Sequence, residues 1–392
     1  MRDASDERCR HASIARLDDN AILLTQIHGS HIDWSERSMP LVAHTPLPSF
    51  DRLRQHGQEV LTLSRALKQD IRELHIGLLN MMPDAALQIT ERQFMRLVGN
   101  SNQIAQFYVH VFSVPGLERS PETQAYIDQY YTSFEQVQQD GLDALIITGA
   151  NVANPSLDQE NFWQPLTEVI EWAGENVTST LCSCLSTHAL MKYFYQIDRI
   201  KRGRKKWGVF EHRVTQPNHP LLREINTRFD VPHSRWNSIT REQIEDAGLT
   251  VLIQSFDGEV HMVVSPDQLR MVYFQGHPEY DINSLLKEYK RDLLGYFHGK
   301  NPQPPYPENY FPLEAREIAE RYIRQAQLAL ENGGDLPEFP EEQFLPWLDN
   351  TWGDTAKAIF NNWLGSVYQV TNVIRHVPFD NGIDPGNPLG IL

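Results

Sequence analysis

The stretch STLCSCLSTHAL, Ser179–Leu190, decides how this chain folds. Residues 177–182 form a β-rich run, and a helical pattern from Leu185 to Tyr195 follows with no loop between them. A strand that runs straight into a helix is the junction of a βα unit. Two of the three cysteines sit there, one residue apart, with His188 four positions after the second. Cys182 alternates with Leu181 inside the strand, whereas Cys184 falls on the junction. A thiol at a helix N-terminus is stabilised as thiolate, and the next backbone N–H, that of Leu185, can point at a developing oxyanion. Cys184 is therefore the candidate nucleophile and Cys182 a buried neighbour. On this stretch alone the alternative, two small core residues, stays open. A metal site is not expected: Cys182, Cys184 and His188 offer three ligands, but no second Cys pair or spaced His pair accompanies them.

The pattern repeats on both sides. Residues 73–80, 105–112 and 143–148 read as strands, with helical spacing at 90–98 and near Trp163–Trp172. Strands alternating with helices predict an α/β fold with a mostly parallel sheet. After residue 206 the texture changes. Residues 207–215 and 249–264 are β-rich with an Asp257-Gly258 turn, and 269–275 is a last strand. Helices follow at about 282–297, 312–330 and 355–370. The division this suggests is an N-terminal arm over 1–70, a catalytic domain over 71–300 and a C-terminal helical extension over 301–392 that packs on it.

The bulk numbers bound the function. A chain of 392 residues, 41% hydrophobic, can bury a large core. Three cysteines are too few for a disulfide framework and suggest reduced thiols. The first residues, MRDASDERCRHASIARLDD, have no apolar core, and no apolar run approaches spanning length. A cytoplasmic protein without membrane partners is expected. The net charge of −16 argues against nucleic acid as a partner. One segment opposes it: residues 199–206 hold six cations, read either as a solvated loop or as a local anion site.

A base for Cys184 is offered by Gly276-His277-Pro278-Glu279, which follows the last strand at the edge where Cys184 emerges. A histidine beside a carboxylate is the usual device for fixing an imidazole tautomer and supporting its cation.

With these residues in view, the chain resembles the homoserine O-acyltransferases, which are built on the class I glutamine-amidotransferase-like, flavodoxin-like fold. The resemblance covers about residues 72–376. It is carried by IGLLNMMP (76–83), TERQFMRL (90–97), LIITGA (145–150), TSTLCSCL (178–185), GVFEH (208–212), PHSR (232–235), GHPEYD (276–281), ENYFP (308–312) and NWLGSVYQVT (362–371). It implies the same sheet, a β-rich insertion and added terminal segments. It also implies an acyl-thioester on Cys184, His277 as general base, Glu279 as its support, and substrate contacts at Lys205, Ser234 and Arg291. The implied reaction is ping-pong, from succinyl-CoA or acetyl-CoA to homoserine, with no permanently bound cofactor. Its oxyanion hole is formed by the amides of Leu185 and of the turn near Met81. A homodimer is the default for such enzymes.

Two departures from the family pattern bear on the acyl group. The lysine pair that usually follows the Met-Pro turn is absent, since Pro83 is followed by DAALQI, which leaves the site without that cation. The position that is glycine in succinyl-transferring members and glutamate in acetyl-transferring ones is Ala153, small and uncharged, which favours succinyl. Competing readings are a paralogue that acylates serine and a Cys–His–Glu amidohydrolase or glutaminase. Ser183, Leu185 and Ser186 around the nucleophile speak against the glutaminase, which usually has glycines there.

Overall fold

The computed structural model describes residues 41–101 and 105–392, and the first forty residues of the expected arm lie outside them. The first described elements are β1 (Val42–Ala43), α1 (Pro48–Gln55), β2 (Leu61–Thr62) and α2 (Leu63–Ala66). β1 and β2 pair in parallel, and Leu41 bridges to Phe107 at the edge of the main sheet. Next come β3 (Glu73–Leu79), α3 (Asp84–Ser101), β4 (Gln106–Phe112), α4 (Pro121–Tyr130), α5 (Phe134–Asp140), β5 (Ala144–Ile147), α6 (Trp163–Asn176), β6 (Ser179–Ser183) and α7 (Leu185–Tyr195). The β-rich part holds β7 (Ile200–Val214), β8 (Arg228–Ser238), α8 (Arg241–Asp246), β9 (Thr250–Ser255), β10 (Val260–Val264) and β11 (Met271–Phe274). The chain closes with α9 (Ser284–Phe297), α10 (Leu313–Glu331), α11 (Glu341–Phe344) and α12 (Gly353–Val370).

Nine strands form one sheet in the order β4-β3-β5-β6-β11-β10-β9-β7-β8. The five from β4 to β11 run parallel, and β10, β9, β7 and β8 join antiparallel. The expected α/β fold is thus one continuous sheet. The β-rich insertion extends it through hairpins, because antiparallel neighbours need no crossover helix. The parallel strands are apolar on both faces, and helices cover both. Phe94, Phe360 and Trp363, from α3 and α12, pack under one face; Leu166, Ile170 and Leu190, from α6 and α7, pack under the other. α12 therefore belongs to the central core: Trp363 is fully buried and its indole N–H donates to Ser179 Oγ at 2.8 Å. α9, α10 and α11 gather around a third cluster with Trp207, Tyr289 and Phe344.

One sequence expectation needs correction. Residues 199–206 are not a solvated loop. From Ile200 on they are the first half of β7, and the pleat sends successive cations to opposite faces. Lys205 reaches Glu288 at 3.1 Å, while Lys206, at 2.9 Å, and Arg235, at 2.6 Å, share Glu259 with Arg202. The PHSR motif lies in β8, paired antiparallel with β7 so that Ser234 faces Trp207.

Candidate active site

Cys184 caps the junction of β6 and α7 with φ 58° and ψ −109°. This conformation is strained for a residue with a Cβ and is found where surrounding bonds over-determine the backbone. Those bonds are present. The Cys184 N–H donates to the Phe274 carbonyl at 2.8 Å, Thr187 Oγ1 donates to the same carbonyl at 2.8 Å, and Ser186 Oγ donates to Ile147 O at 2.8 Å. The thiol is half-buried at the C-terminal edge of the parallel strands. Leu185 is the first residue of α7, so its N–H is among those without an intrahelical acceptor. Cys182 is fully buried one pleat earlier, and burial pushes its thiol well up. His188 does not join the thiols: it pairs with Gln275 at 3.2 Å, and burial lowers it to about 3.

β11 lies beside β6, with Phe274 in register with Ser183, so the residues after β11 arrive next to Cys184. The His277 N–H donates to Pro232 O of β8 at 2.8 Å. Its Nδ1 bonds Glu279 Oε1 at 2.8 Å, and its ring lies within electrostatic reach of the Cys184 side chain. Burial pulls the His277 pKa down, but the charges of Cys184 and Glu279 outweigh it and hold the imidazole well above its ordinary range. The ring is stacked on Tyr280 at 4.3 Å. Ser183 Oγ donates to Glu279 Oε1 at 3.3 Å. Gly276 has no room for a side chain, since a Cβ would stand 2.7 Å from Val231 Cγ1 and 2.8 Å from His233 Cε1.

The three expected substrate contacts do not share one fate. Lys205 and Ser234 converge on a carboxylate that the sequence reading missed. Glu288 accepts from Ser234 Oγ at 2.6 Å, from Lys205 Nζ at 3.1 Å and from Tyr280 Oη at 2.7 Å. Burial alone pushes the Glu288 carboxyl up; Lys205 and the two hydroxyl donors outweigh it, and the net direction is down. Arg291 stands apart. Its guanidinium is 64% exposed and pairs with Asp292 at 2.8 Å, within the electrostatic reach of Glu288 and Tyr280. A signal for Glu288 was present: it lies on α9 among the buried Leu285, Leu286 and Tyr289, and a buried acid requires a cation.

Of the two expected oxyanion amides, that of Met81 already donates to Thr148 Oγ1 at 2.9 Å, whereas Leu185 stands beside the nucleophile. A Cβ on Gly149 would lie 3.6 Å from Met82 Sδ, 3.7 Å from Cys184 Cβ and 3.8 Å from Leu185 N, so these groups form one wall around the sulfur. Ala153 lines a neighbouring cavity of about 690 Å³, together with Met81, Pro83, Arg119, Glu160 and Phe162. Glu160 holds the loop by accepting from Ala153 N at 2.9 Å and Asn154 N at 2.7 Å. Arg199 and Arg235 lie within electrostatic reach of Cys184. Among the described residues no group of His, Cys, Asp and Glu is arranged to hold a metal ion, and no helix is long and apolar enough to cross a membrane.

The model of the homoserine O-succinyltransferase family matches residues 40–373. Proteins named homoserine O-succinyltransferase from Methylobacter tundripaludum and Methylococcus capsulatus are 59% and 58% identical over 354 residues, 90% of this chain and 100% of each relative. One from Thiobacillus denitrificans is 57% identical over 353 residues, again 90% of this chain and 100% of the relative. A solved glutamine amidotransferase from Thermotoga maritima is 13% identical with a TM-score of 0.40, covering 75% of this chain and 97% of that one.

Proposed function

Since the chain belongs to the homoserine O-succinyltransferase family and is an acyltransferase of methionine biosynthesis, we propose that it carries a succinyl group from succinyl-CoA, through a thioester on Cys184, to the hydroxyl of homoserine. One observation carries this reading: the buried His277 ring is bonded through Nδ1 to Glu279 and stands within electrostatic reach of the Cys184 thiol on its strained elbow.

The Cys184 thiolate attacks the thioester carbonyl of succinyl-CoA. The oxyanion is met by the Leu185 N–H and by the dipole of α7. As the tetrahedral intermediate collapses, the C–S bond to CoA breaks and the His277 imidazolium gives its proton to the departing thiolate. One thioester replaces another at nearly equal energy, so the protein supplies position and charge stabilisation rather than driving force. Homoserine then enters. Neutral His277 takes its hydroxyl proton, the oxygen attacks the enzyme thioester, and the Cys184 thiolate is released opposite the renewed imidazolium. Glu279 keeps Nδ1 protonated so that Nε2 works at the sulfur.

Glu288 organises the acceptor side in this reading. It holds Lys205 and Ser234 and fixes Tyr280 against His277, and Arg291 swings from Asp292 to the amino-acid carboxylate. The small Ala153 leaves room for the acyl chain. The enzyme works in the cytoplasm as a homodimer.

Intact-protein mass spectrometry after mixing with succinyl-CoA alone tests this. A succinyl adduct on Cys184, discharged by homoserine, is expected. Labelling on Cys182 would sink the choice of thiol. Discharge only as free succinate, with homoserine and serine both present, would make the protein a hydrolase; discharge by serine alone would change the acceptor.

A further inference from the structure

The family's lysine pair after the Met-Pro turn is absent, and another cation lies against that turn. Arg119, from the loop after β4, reaches under that turn and donates through Nη1 to the Met82 carbonyl. Its side chain is only 5% exposed, and its Nη2 is buried with no hydrogen-bond partner. A buried guanidinium nitrogen without an acceptor is costly unless a ligand completes it. Arg119 lines the cavity that Ala153 lines, beside Met81 and Pro83.

The placement is rigid. Gly116, three residues earlier, has φ 85°, and a Cβ there would lie 2.3 Å from Asn161 O. The Arg119 loop is therefore pressed backbone to backbone against the loop that continues from Ala153 to Phe162. Other charges face the cavity. Asp84 forms an ion pair with Arg119 Nη1 at 3.5 Å through Oδ1, which has no hydrogen-bond partner of its own, and accepts the Ser120 N–H through Oδ2 at 2.8 Å; it does not reach Nη2. Glu160 is committed to the Ala153 and Asn154 amides and sits within electrostatic reach of Arg199. Glu118 is exposed. Of these groups, Arg119 Nη2 is the buried donor still lacking an acceptor. Met82 stands between Arg119 and the nucleophile: its carbonyl holds Arg119, and its sulfur shares the Gly149 wall with Cys184.

Resting on the Cys184 thioester reading above, we propose that Arg119 is the specificity-determining cation for the acyl group: its Nη2 face receives the distal carboxylate of a four-carbon diacid chain attached to Cys184. Ala153 then supplies space and Arg119 supplies the charge, in place of the absent lysines. A guanidinium suits the task because its planar fork can bond Met82 and the ligand carboxylate at once.

The test compares succinyl-CoA with butyryl-CoA, a chain of the same length that lacks the carboxylate. Cys184 acylation is timed by intact-protein mass spectrometry in wild type, Arg119→Gln and Arg119→Lys. In Arg119→Gln the succinyl-to-butyryl rate ratio is expected to fall on the order of 10- to 100-fold, the loss of one charge-assisted contact. Arg119→Lys should recover part of it. An unchanged ratio, with both donors slowed equally or neither slowed, overturns the assignment and makes Arg119 a support of the Met82 turn only. Absence of any adduct in wild type overturns the thioester reading itself, so the two failures are told apart by the unmutated protein.

Discussion

Glu288 is the residue whose removal should reveal how the acceptor side is held. Lys205 Nζ lies 3.1 Å from Glu288 Oε2, and the two side chains are 18% and 15% exposed. At an effective dielectric of 20, two unit charges at that separation attract by about 5 kcal/mol. Desolvation on both sides offsets much of this, and partial exposure screens the rest, leaving a net coupling of roughly 2 kcal/mol. The partners differ in what they fall back on. Without Lys205, Glu288 still has Ser234 and Tyr280; without Glu288, Lys205 keeps, among the described residues, only the Trp207 ring at 4.5 Å. Glu288→Gln should therefore cost more than Lys205→Met. The double-mutant cycle of Lys205→Met, Glu288→Gln and both together should give the coupling, read from reversible urea unfolding with two probes whose transitions coincide. A coupling energy within about 0.5 kcal/mol of zero would refute the reasoning, since distant independent sites add within that margin. The Glu288→Gln protein should still form the Cys184 adduct, while homoserine discharges it on the order of 10- to 100-fold more slowly.

Other outcomes follow from the same geometry. Glu279→Gln removes a charge that helps hold His277 in its raised range, so the imidazolium–thiolate pair should be less populated. Alkylation of Cys184 by iodoacetamide at neutral pH should slow by roughly tenfold, and an unchanged pH–rate profile would contradict that. Gly276→Ala puts a methyl against Val231 and the buried His233 ring, and should cost about 1–3 kcal/mol of stability; a calorimetric scan matching wild type would show that the ring can give way. Four buried histidines, 188, 212, 233 and 261, are held neutral, with His188 lowered to about 3 and His212 to about 4. Because their folded pKa values are depressed, the unfolded chain binds more protons below about pH 6.5, and stability should drop as pH falls from there toward 4, by up to about 1.4 kcal/mol per pH unit for each histidine. Urea midpoints that stay flat between pH 6.5 and 4.5 would rule this out.

The backbone pattern around STLCSCLSTHAL was enough to read a parallel sheet with a thiol at a strand–helix junction, because hydrophobic period and the absence of a loop are local properties. The short apolar strands and the closing helix near 355–370 were legible for the same reason. GHPE was legible as a His–carboxylate pair two residues apart, and strand order then brought it beside Cys184. Partnership across the chain was not legible. The run at 199–206 has the composition of a solvated loop, and only pairing with β8 turns it into a strand whose cations divide between Glu288 and Glu259. Arg119 carries no local signal of its role, and the apolar neighbours of Glu288 on α9 signal only its burial, since the partner of a buried charge depends on what packs over it from elsewhere. Arg119 meets the Met-Pro turn from a loop some 35 residues away in sequence. Residue spacing thus fixes which groups share an element and its face; which charges meet is decided by packing between elements, where a buried ion must find a partner or a ligand.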